Sequence, residues 1–363
     1  MWPAFAAASL RDFSAMLAKH FVGLTMDAGD ARVMPEPAWA TPNTVALELK
    51  SVSLRDFSTA DDGVPTLLCA PFALHRATIA DLAPGHSLIA TLRKAGLRRL
   101  FVTDWRSATA EMRFLGIDNY LADLNVLVDW LGGKVDLVGL CQGGWLSLLY
   151  AARFPGKVRK LVLAGAPVDI TAERSALSAL VDASPMALFH ELVTLGDGLV
   201  LGHKVQTFWG AQTLDGSEIR RLLQTAEPID SAAFATLMQT FRDWYASTVD
   251  LPGTYYLEVI EKLYDRNEIA TGQFVALGEL VDLANVRVPM FLLAGRDDEL
   301  VAPAQLFSAA DLVGTLAQDV RKAIAPCNHG SLFMGRKILA EYWVPIARWI
   351  AEADGEAVAP AAA

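Results

Sequence analysis

Cysteine and long apolar runs are both scarce in this 363-residue sequence. The chain contains no Cys-x-x-Cys pair and no cysteine spacing typical of zinc ligands, and its three cysteines are Cys69, Cys141 and Cys327. An odd number of dispersed cysteines is typical of free thiols in a reducing compartment, so we expect a cytoplasmic protein with no bound metal or other cofactor. No run of about 18 apolar residues occurs, which disfavours a membrane span.

Positive charge is also in short supply, since 31 Lys and Arg oppose 41 Asp and Glu for a formal net charge of −10. This balance disfavours binding to nucleic acid or to an anionic membrane surface. The apolar N-terminus "MWPAFAAASLRDFSAML" starts without a basic residue and is interrupted by Arg11-Asp12. We therefore interpret it as an amphipathic helix and not as a signal peptide.

The sequence does contain a regular alternation of short apolar stretches and helical patterns. The predicted strands are "ALELKSVSL" (46–54), 66–70, 97–103, 134–139, 160–166, 290–295 and 320–325. Helical patterns separate them, for example at 118–130 with Asp118 as a candidate N-cap, and at 143–153. Such alternation predicts an α/β fold with a mostly parallel, doubly wound sheet that has helices on both faces.

The alternation stops between about residues 171 and 288, where helix formers and aromatic residues dominate and no strand series is visible. We interpret 171–285 as a helical cap inserted into an α/β core made of 46–170 and 286–352. Residues 1–45 are predicted to form an N-terminal helical segment, and the Ala-rich residues 353–363 a disordered tail.

The stretch "GLCQGG" (139–144) follows one of the predicted strands. A strand, then Gly-x-nucleophile-x-Gly, then a helix is the nucleophile elbow of α/β hydrolases, whose strand and helix approach too closely for side chains at the two glycines. Cys141 takes the nucleophile's place, and a helix N-terminus there would stabilise its thiolate. The backbone N–H of Gln142 would contribute to an oxyanion hole. The alternative is a glycine-rich turn that merely buries a cysteine.

A cysteine nucleophile needs a base and a carboxylate that orients the base, and in this fold they follow in the order nucleophile, acid, histidine. His329 in "PCNHGSLF" follows the last predicted strand, and "AGRDDELVAP" follows the strand before it. Asp298 is favoured as the acid over Asp297, which we expect to be a solvated turn residue near the site. Leu74 is the expected second oxyanion donor, and the neighbouring His75 lies either beside the site or in a structural position.

The sulfur of Cys141, in place of the usual serine oxygen, favours chemistry on thioesters. Exchange of an acyl group between a protein thiol and another thioester is nearly isoenergetic, whereas serine would hold the group as a lower-energy ester. An enzyme that takes acyl groups from a CoA thioester and passes them to a hydroxyl gains from holding them on cysteine.

These motifs resemble the polyhydroxyalkanoate synthases. "VDLVGLCQGG" and "KVRKLVLAGAPVDI" are similar to that family's Gly-x-Cys-x-Gly-Gly box and to the strand that follows it. The similarity continues through 249–289, "DELVAP" and "NHGSLFMG", and covers about residues 64 to 350. The resemblance implies an α/β-hydrolase fold with Cys141 as nucleophile, Asp298 as acid and His329 as base. It also implies 3-hydroxyacyl-CoA and a growing polyester as substrates, a small helper subunit, a homodimer and association with polymer granules.

The chain departs from the synthase pattern at three positions near these motifs. Glu299 stands where histidine is usual, and Asn328 where glycine is usual. Trp145 stands where a small residue or threonine is common, and we expect it to narrow the site.

Other segments resemble the intracellular polyhydroxyalkanoate depolymerases instead. "APFALHRATIAD", "FVTDWRSA" and "FMGRK" are similar to stretches of those enzymes, which also have cysteine at the elbow but lack its second glycine. The sequence therefore predicts a synthase-type acyltransferase, with a hydrolase of polyesters or thioesters as the alternative. A non-catalytic, granule-associated protein is the third hypothesis.

Overall fold

The computed structural model of the protein describes residues 36–208, 215–225 and 231–352. Most of the predicted N-terminal segment (1–35) and the predicted tail (353–363) lie outside the described residues.

In these residues one large sheet runs through the centre of the molecule. Its eight strands are β1 (Thr44–Glu48), β2 (Val52–Asp56), β3 (Thr66–Cys69), β4 (Leu100–Trp105), β5 (Val135–Leu140), β6 (Val158–Ala164), β7 (Met290–Gly295) and β8 (Val320–Ala325). Their order is β1-β2-β4-β3-β5-β6-β7-β8. Only β2 runs antiparallel to its neighbours, and every other pair is parallel. The predicted α/β class with a mostly parallel sheet is confirmed.

Helices cover both faces of the sheet and the edge at which its parallel strands end. In chain order they are α1 (Leu88–Lys94), α2 (Ile117–Trp130), α3 (Gln142–Arg153), α4 (Ala176–Ala183), α5 (Met186–Leu195), α6 (Gly202–Phe208), α7 (Gly216–Leu223), α8 (Ser231–Ala246), α9 (Gly253–Val259), α10 (Pro303–Phe307), α11 (Ala309–Leu312), α12 (His329–Met334), α13 (Arg336–Ile338) and α14 (Val344–Ala351). Two π-helical stretches, Ile260–Asp265 and Leu339–Trp343, continue α9 and α13.

The stretch 46–54 is not one strand, as its alternation predicts, but the hairpin of β1 and β2. The turn is closed by the Leu49 N–H, which donates to the Val52 carbonyl at 2.8 Å. The alternation of apolar residues continues across this tight turn, so the pattern alone does not reveal the break.

The helix that was predicted to start at Asp118 begins at Ile117, with Gly116 as its N-cap. The side-chain oxygen of Asn119 accepts a hydrogen bond from the Gly116 N–H at 2.9 Å. Asp118 instead accepts from the Leu277 N–H at 2.8 Å, a contact 159 residues away in the chain. A long-range acceptor of this kind cannot be inferred from local capping preferences.

The segment between β6 and β7 is mainly helical in its described part and contains α4 to α9. It also contains two short antiparallel pairs that the sequence does not reveal, Leu199–Val200 with Leu251–Pro252 and Val275–Ala276 with Glu279–Leu280. The segment is held at the end of β3, where the Leu74 carbonyl accepts from the Val249 N–H at 2.9 Å. The boundaries of the cap at 171 and 285 remain a prediction.

Among the described helices, no single one is long and apolar enough to cross a membrane. The two helices α4 and α5 pass that test only when they are taken together, and they are bent by 91° at the break between them.

Candidate active site

Cys141 lies in the sharp turn between β5 and α3. Its backbone has φ of 50° and ψ of −118°, a left-handed conformation that residues other than glycine rarely adopt. The Cys141 N–H donates to the Ala164 carbonyl at 2.8 Å, and the Cys141 carbonyl accepts from the Gly144 N–H at 2.8 Å. Backbone strain of this kind costs about 1–3 kcal/mol and persists only where the surrounding structure holds it. The turn therefore holds the thiol at the start of α3.

Each of the three glycines around Cys141 faces a close neighbour. A Cβ atom on Gly139 would lie 2.5 Å from the Gly144 Cα, and one on Gly143 would lie 2.1 Å from the Cys69 carbonyl oxygen. A Cβ on Gly144 would lie 2.3 Å from the Cβ of Ala166, in the loop after β6. The first two glycines let β5 and α3 approach each other and the end of β3. The third lets α3 approach the loop after β6.

His329 and Asp298 are brought together by the loops that follow β8 and β7. The His329 Nδ1–H donates to Asp298 Oδ2 at 2.7 Å. The other oxygen of Asp298 accepts from the N–H groups of Leu300 and Val301, both at 2.9 Å. These two backbone donors fix the carboxylate, so its orientation sets that of the imidazole.

Asn328 positions His329 at the start of α12. Its side-chain oxygen caps the helix by accepting from the Ser331 N–H at 3.0 Å and from the Ser331 hydroxyl at 2.7 Å. Glycine could not supply this cap, and the departure from the synthase pattern at this position therefore has a local structural role.

Cys141 is the second polar group at the imidazole, whose ring also packs edge-on against Phe333. Cys141 lies close enough to influence the His329 ring through its charge and its hydrogen-bonding capacity. Because Asp298 engages Nδ1, Nε2 is the nitrogen left to exchange a proton with the sulfur. Burial lowers the pKa of His329, but the charges of Asp298 and Cys141 outweigh burial and raise the pKa well above the usual range for histidine. These charges favour the protonated imidazole, which is the form that results when the thiol proton moves to His329.

The other residues that the sequence singled out around the acid and the thiol lie elsewhere. Asp297 is exposed, and its carboxylate pairs with the Arg296 side chain at 3.5 Å. Trp145 is completely buried in the core and does not contribute to the wall of the site, so the expectation that it narrows the site is wrong. Its position in the first turn of α3 directs the indole into the core under the helix.

The other two cysteines are poor candidates for chemistry. Cys69 and Cys327 are buried. Burial raises the pKa of each thiol to about 12, so both remain protonated at neutral pH. Cys141 is the more accessible of the three.

A cavity of about 460 Å³ lies in front of Cys141 and His329. Its wall is mostly apolar and is built by both the core and the cap, from Pro71, Ala73, Leu74, His75, Ile79, Cys141, Gln142, Ala176, Leu177, Leu180, Val181, Val205, Leu251, Tyr255, Tyr256, Val259, Ile260, Tyr264, Glu299, Leu300, His329 and Phe333. Glu299 is the one carboxylate among these residues. The cavity has the size and the apolar lining of small-molecule sites.

Gln142 and Leu74, the expected oxyanion donors, both line this cavity. Gln142 directly follows Cys141 at the N-terminus of α3. Leu74 is fixed through its carbonyl group by the cap. That their backbone N–H groups bind an oxyanion remains a prediction.

Two tyrosines beside the catalytic candidates were not identified from the sequence as anything more than cap aromatics. The Tyr255 hydroxyl lies 3.4 Å from both the Gln142 side-chain oxygen and the Phe72 carbonyl oxygen, and its one proton can be donated to either. Burial, together with the charges of Cys141 and Asp298, raises the pKa of Tyr264 well above the usual range. Both tyrosines line the cavity, from α9 and its π-helical continuation. Their separation of nine residues is two and a half turns of a regular α-helix, so the sequence spacing alone does not place them on one face.

Comparison with known proteins identifies related sequences. A family model described as PHB de-polymerase C-terminus matches residues 223–354. The chain is 27% identical over 324 residues to the poly(3-hydroxyalkanoate) polymerase subunit PhaC of Synechocystis, an alignment that covers 86% of this chain and 85% of that protein. The subunit of the same name from Allochromatium vinosum is 27% identical, with 81% and 82% covered. The one from Cupriavidus necator is 24% identical, with 80% of this chain but 50% of that protein covered.

Similar solved structures support the fold alone. A monoacylglycerol lipase from Paleococcus ferrophilus has a TM-score of 0.53 at 14% identity, with 82% of this chain and 98% of that chain covered. An α/β hydrolase fold protein from Chitinophaga pinensis has a TM-score of 0.51 at 14% identity, with 87% and 98% covered. The predicted α/β-hydrolase fold is confirmed.

Proposed function

This chain is a homologue of the poly(3-hydroxyalkanoate) polymerases, and from that relationship we propose that it is an acyltransferase with a cysteine nucleophile. In the proposed reaction, 3-hydroxyacyl groups pass from a CoA thioester through Cys141 to the hydroxyl end of a growing polyester. The observation that carries the proposal is the contact chain from Cys141 through His329 to Asp298 at the wall of an apolar cavity.

In the first half of the proposed reaction, the Cys141 sulfur attacks the carbonyl carbon of the thioester. His329 takes the thiol proton, and the N–H groups of Gln142 and Leu74 stabilise the oxyanion. The carbon–sulfur bond to CoA then breaks, and His329 returns the proton to the departing CoA sulfur. One such oxyanion donor is typically worth about 2.7–4 kcal/mol, and a positioned acid or base about 10²–10⁴-fold in rate.

In the second half, the terminal hydroxyl of the polyester attacks the acyl group on Cys141. His329 accepts the hydroxyl proton, and an ester bond forms as the bond to sulfur breaks. The proton then returns to the Cys141 sulfur, which restores the starting state. Asp298 keeps the imidazole in place throughout and stabilises its charged form.

The apolar cavity bears on the choice between transfer and hydrolysis. An apolar cavity offers water few hydrogen-bond partners, whereas an apolar chain fills it favourably. The hydroxyl at the end of such a chain therefore competes well with water for the acyl group. Hydrolysis of a polyester with the same residues is the second candidate function, and the match of residues 223–354 to the PHB de-polymerase C-terminus favours it. CoA thioester, polyester, a helper subunit, a homodimer and granule association all remain part of the proposal.

Two incubations test the proposal. The protein is mixed with 3-hydroxybutyryl-CoA in one and with amorphous poly(3-hydroxybutyrate) in the other. Release of CoA with formation of insoluble polyester supports the acyltransferase, as does a hydroxyacyl adduct on Cys141 in the intact-protein mass spectrum. Soluble hydroxyacid from the polymer, without polymer formation in the first incubation, would replace it by the hydrolase.

Two cysteine variants provide the matched controls. Cys141→Ala should abolish both activities, and substantial remaining turnover would refute the assignment of the nucleophile. Cys69→Ala alters a buried thiol that lies outside the cavity wall, so it should leave activity largely intact.

A further inference from the structure

Two polar side-chain atoms in the wall of the cavity are buried without a hydrogen-bond partner among the described residues. They are the Tyr256 hydroxyl and the His75 Nδ1. Neither residue contacts Cys141, His329 or Asp298 by any hydrogen bond of the described structure. Both therefore lie outside the proposed reacting groups but inside the space that a substrate would fill.

His75 is held rigidly at this position. Its backbone forms a β-bridge with Thr248, and its ring packs on Trp244 and Tyr245 with centroid distances of 4.7 and 4.9 Å. Burial lowers the pKa of His75 to about 4, so the ring is neutral at physiological pH. A neutral imidazole has one donor and one acceptor nitrogen, and either can serve a ligand.

Tyr256 is held equally well, on α9. The residue is only 7% exposed, and its ring lies against Phe189 at a centroid distance of 6.2 Å. Burial raises the pKa of its hydroxyl well above the usual range, so the group remains a neutral donor and acceptor.

Burying such groups unpaired is unfavourable. An unsatisfied buried donor or acceptor costs about 1–3 kcal/mol. An alkyl chain that filled this cavity would leave both atoms unpaired, whereas a chain that carries oxygen atoms could bind them. The remainder of the wall is mostly apolar.

We propose that His75 and Tyr256 form a second polar subsite that recognises oxygen atoms of the acyl chain beyond the reacting carbonyl. The ligand group is a 3-hydroxyl or the ester of the next unit, so the site selects hydroxyacyl and oligoester chains over plain alkanoyl chains. This inference rests on the proposed function, because it assigns the substrate class of the same cavity. Both residues determine specificity and neither takes part in bond making or breaking.

The test compares kcat/KM for CoA release from 3-hydroxybutyryl-CoA and from butyryl-CoA. Tyr256→Phe removes only the hydroxyl, and His75→Phe keeps an aromatic ring against Trp244 and Tyr245 while it removes both nitrogens. Each variant should lose about 10-fold on the hydroxyacyl substrate, as expected for one hydrogen bond in a buried site, with little change on butyryl-CoA. Tyr245→Phe is the matched control, because this tyrosine packs on His75 without lining the cavity, and its substrate ratio should equal that of the wild type.

An equal loss on both substrates would show that the residues are only structural and would overturn the inference, as would an unchanged ratio in both variants. A binding measurement separates this outcome from failure of the proposed function. Cys141→Ala protein, which cannot turn over, should bind methyl 3-hydroxybutyrate more tightly than methyl butyrate. This preference should disappear when Tyr256→Phe is added. If no variant released CoA but the preference persisted, the reaction would be wrong and the subsite would stand.

Discussion

Gly144, the third of the glycines around Cys141, offers a quantitative test of how α3 is packed. Gly144→Ala would place a new Cβ 2.3 Å from the Cβ of Ala166, whereas ordinary contacts lie at 3.4–4 Å. The helix and the loop after β6 would have to separate by about 1 Å, and overpacking of this kind typically costs about 1–3 kcal/mol. Alanine in a helix gains about 1 kcal/mol over glycine. The net loss of unfolding free energy should therefore be about 1 kcal/mol.

The double variant Gly144→Ala, Ala166→Gly removes the overlap by moving the methyl group from the loop to the helix. The added Cβ then has the Gly139 carbonyl oxygen at 3.3 Å as its nearest neighbour, which requires a shift of only a few tenths of an ångström. The loop loses about 0.5–1 kcal/mol in backbone entropy through the new glycine, and the helix gains a similar amount. The double variant should thus be close to the wild type in stability.

The free energies of unfolding of the wild type, the two single variants and the double variant are measured by urea unfolding followed by circular dichroism. Ala166→Gly alone loses a buried methyl, worth about 0.8 kcal/mol, and also gains backbone freedom in the unfolded state, so it should be destabilised as well. The two single losses should then cancel in the double variant, with a coupling free energy of about 2–3 kcal/mol. A double variant that is less stable than both single variants would refute the packing argument.

Three further predictions concern the site. At neutral pH, native protein should take up one equivalent of iodoacetamide, and Cys141→Ala none, since the other two thiols are buried with pKa values raised to about 12; uptake of more than one equivalent by the folded protein would contradict this. The raised pKa of His329 stabilises the folded state fully below the ordinary histidine pKa of about 6.5, and this stabilisation is lost as the pH rises through the folded value. The difference in unfolding free energy between wild type and His329→Gln should therefore shrink as the pH increases from 6, and a constant difference would count against the ion pair. Gly143→Ala, whose Cβ would lie 2.1 Å from a backbone oxygen, should displace the elbow and reduce kcat/KM by about 10²-fold, while Gly156→Ala, with nothing within 4 Å, should match the wild type.

Acyl transfer and hydrolysis place the same demands on the reacting residues and different demands on the cavity in front of them. Both reactions use the same thiol, imidazole and carboxylate, and they differ only in which hydroxyl reaches the acyl group. Glu299, on the cavity wall beside Asp298, places a carboxylate where the synthases usually have histidine. We have no structural account of that exchange.

The elbow could be predicted from the sequence because its constraints are local. Gly139, Cys141 and Gly143 are separated by single residues, and a strand before them and a helix after them leave few conformations for the turn. The strands β5 and β7 were also found to within a residue, since strands buried on both faces consist of nearly continuous apolar residues.

Tertiary structure decided the features that depend on residues far apart in the chain. Asp297 and Asp298 are neighbours with the same chemistry, and only the path of the backbone after β7 turns one of them towards His329. The sequence around Trp145 allows its side chain to face either the site or the core. The direction of the first turn of α3 buries it in the core. The Tyr256 hydroxyl and the His75 nitrogen lie in one cavity because the cap folds over the end of β3, a contact across more than a hundred residues that no local pattern encodes.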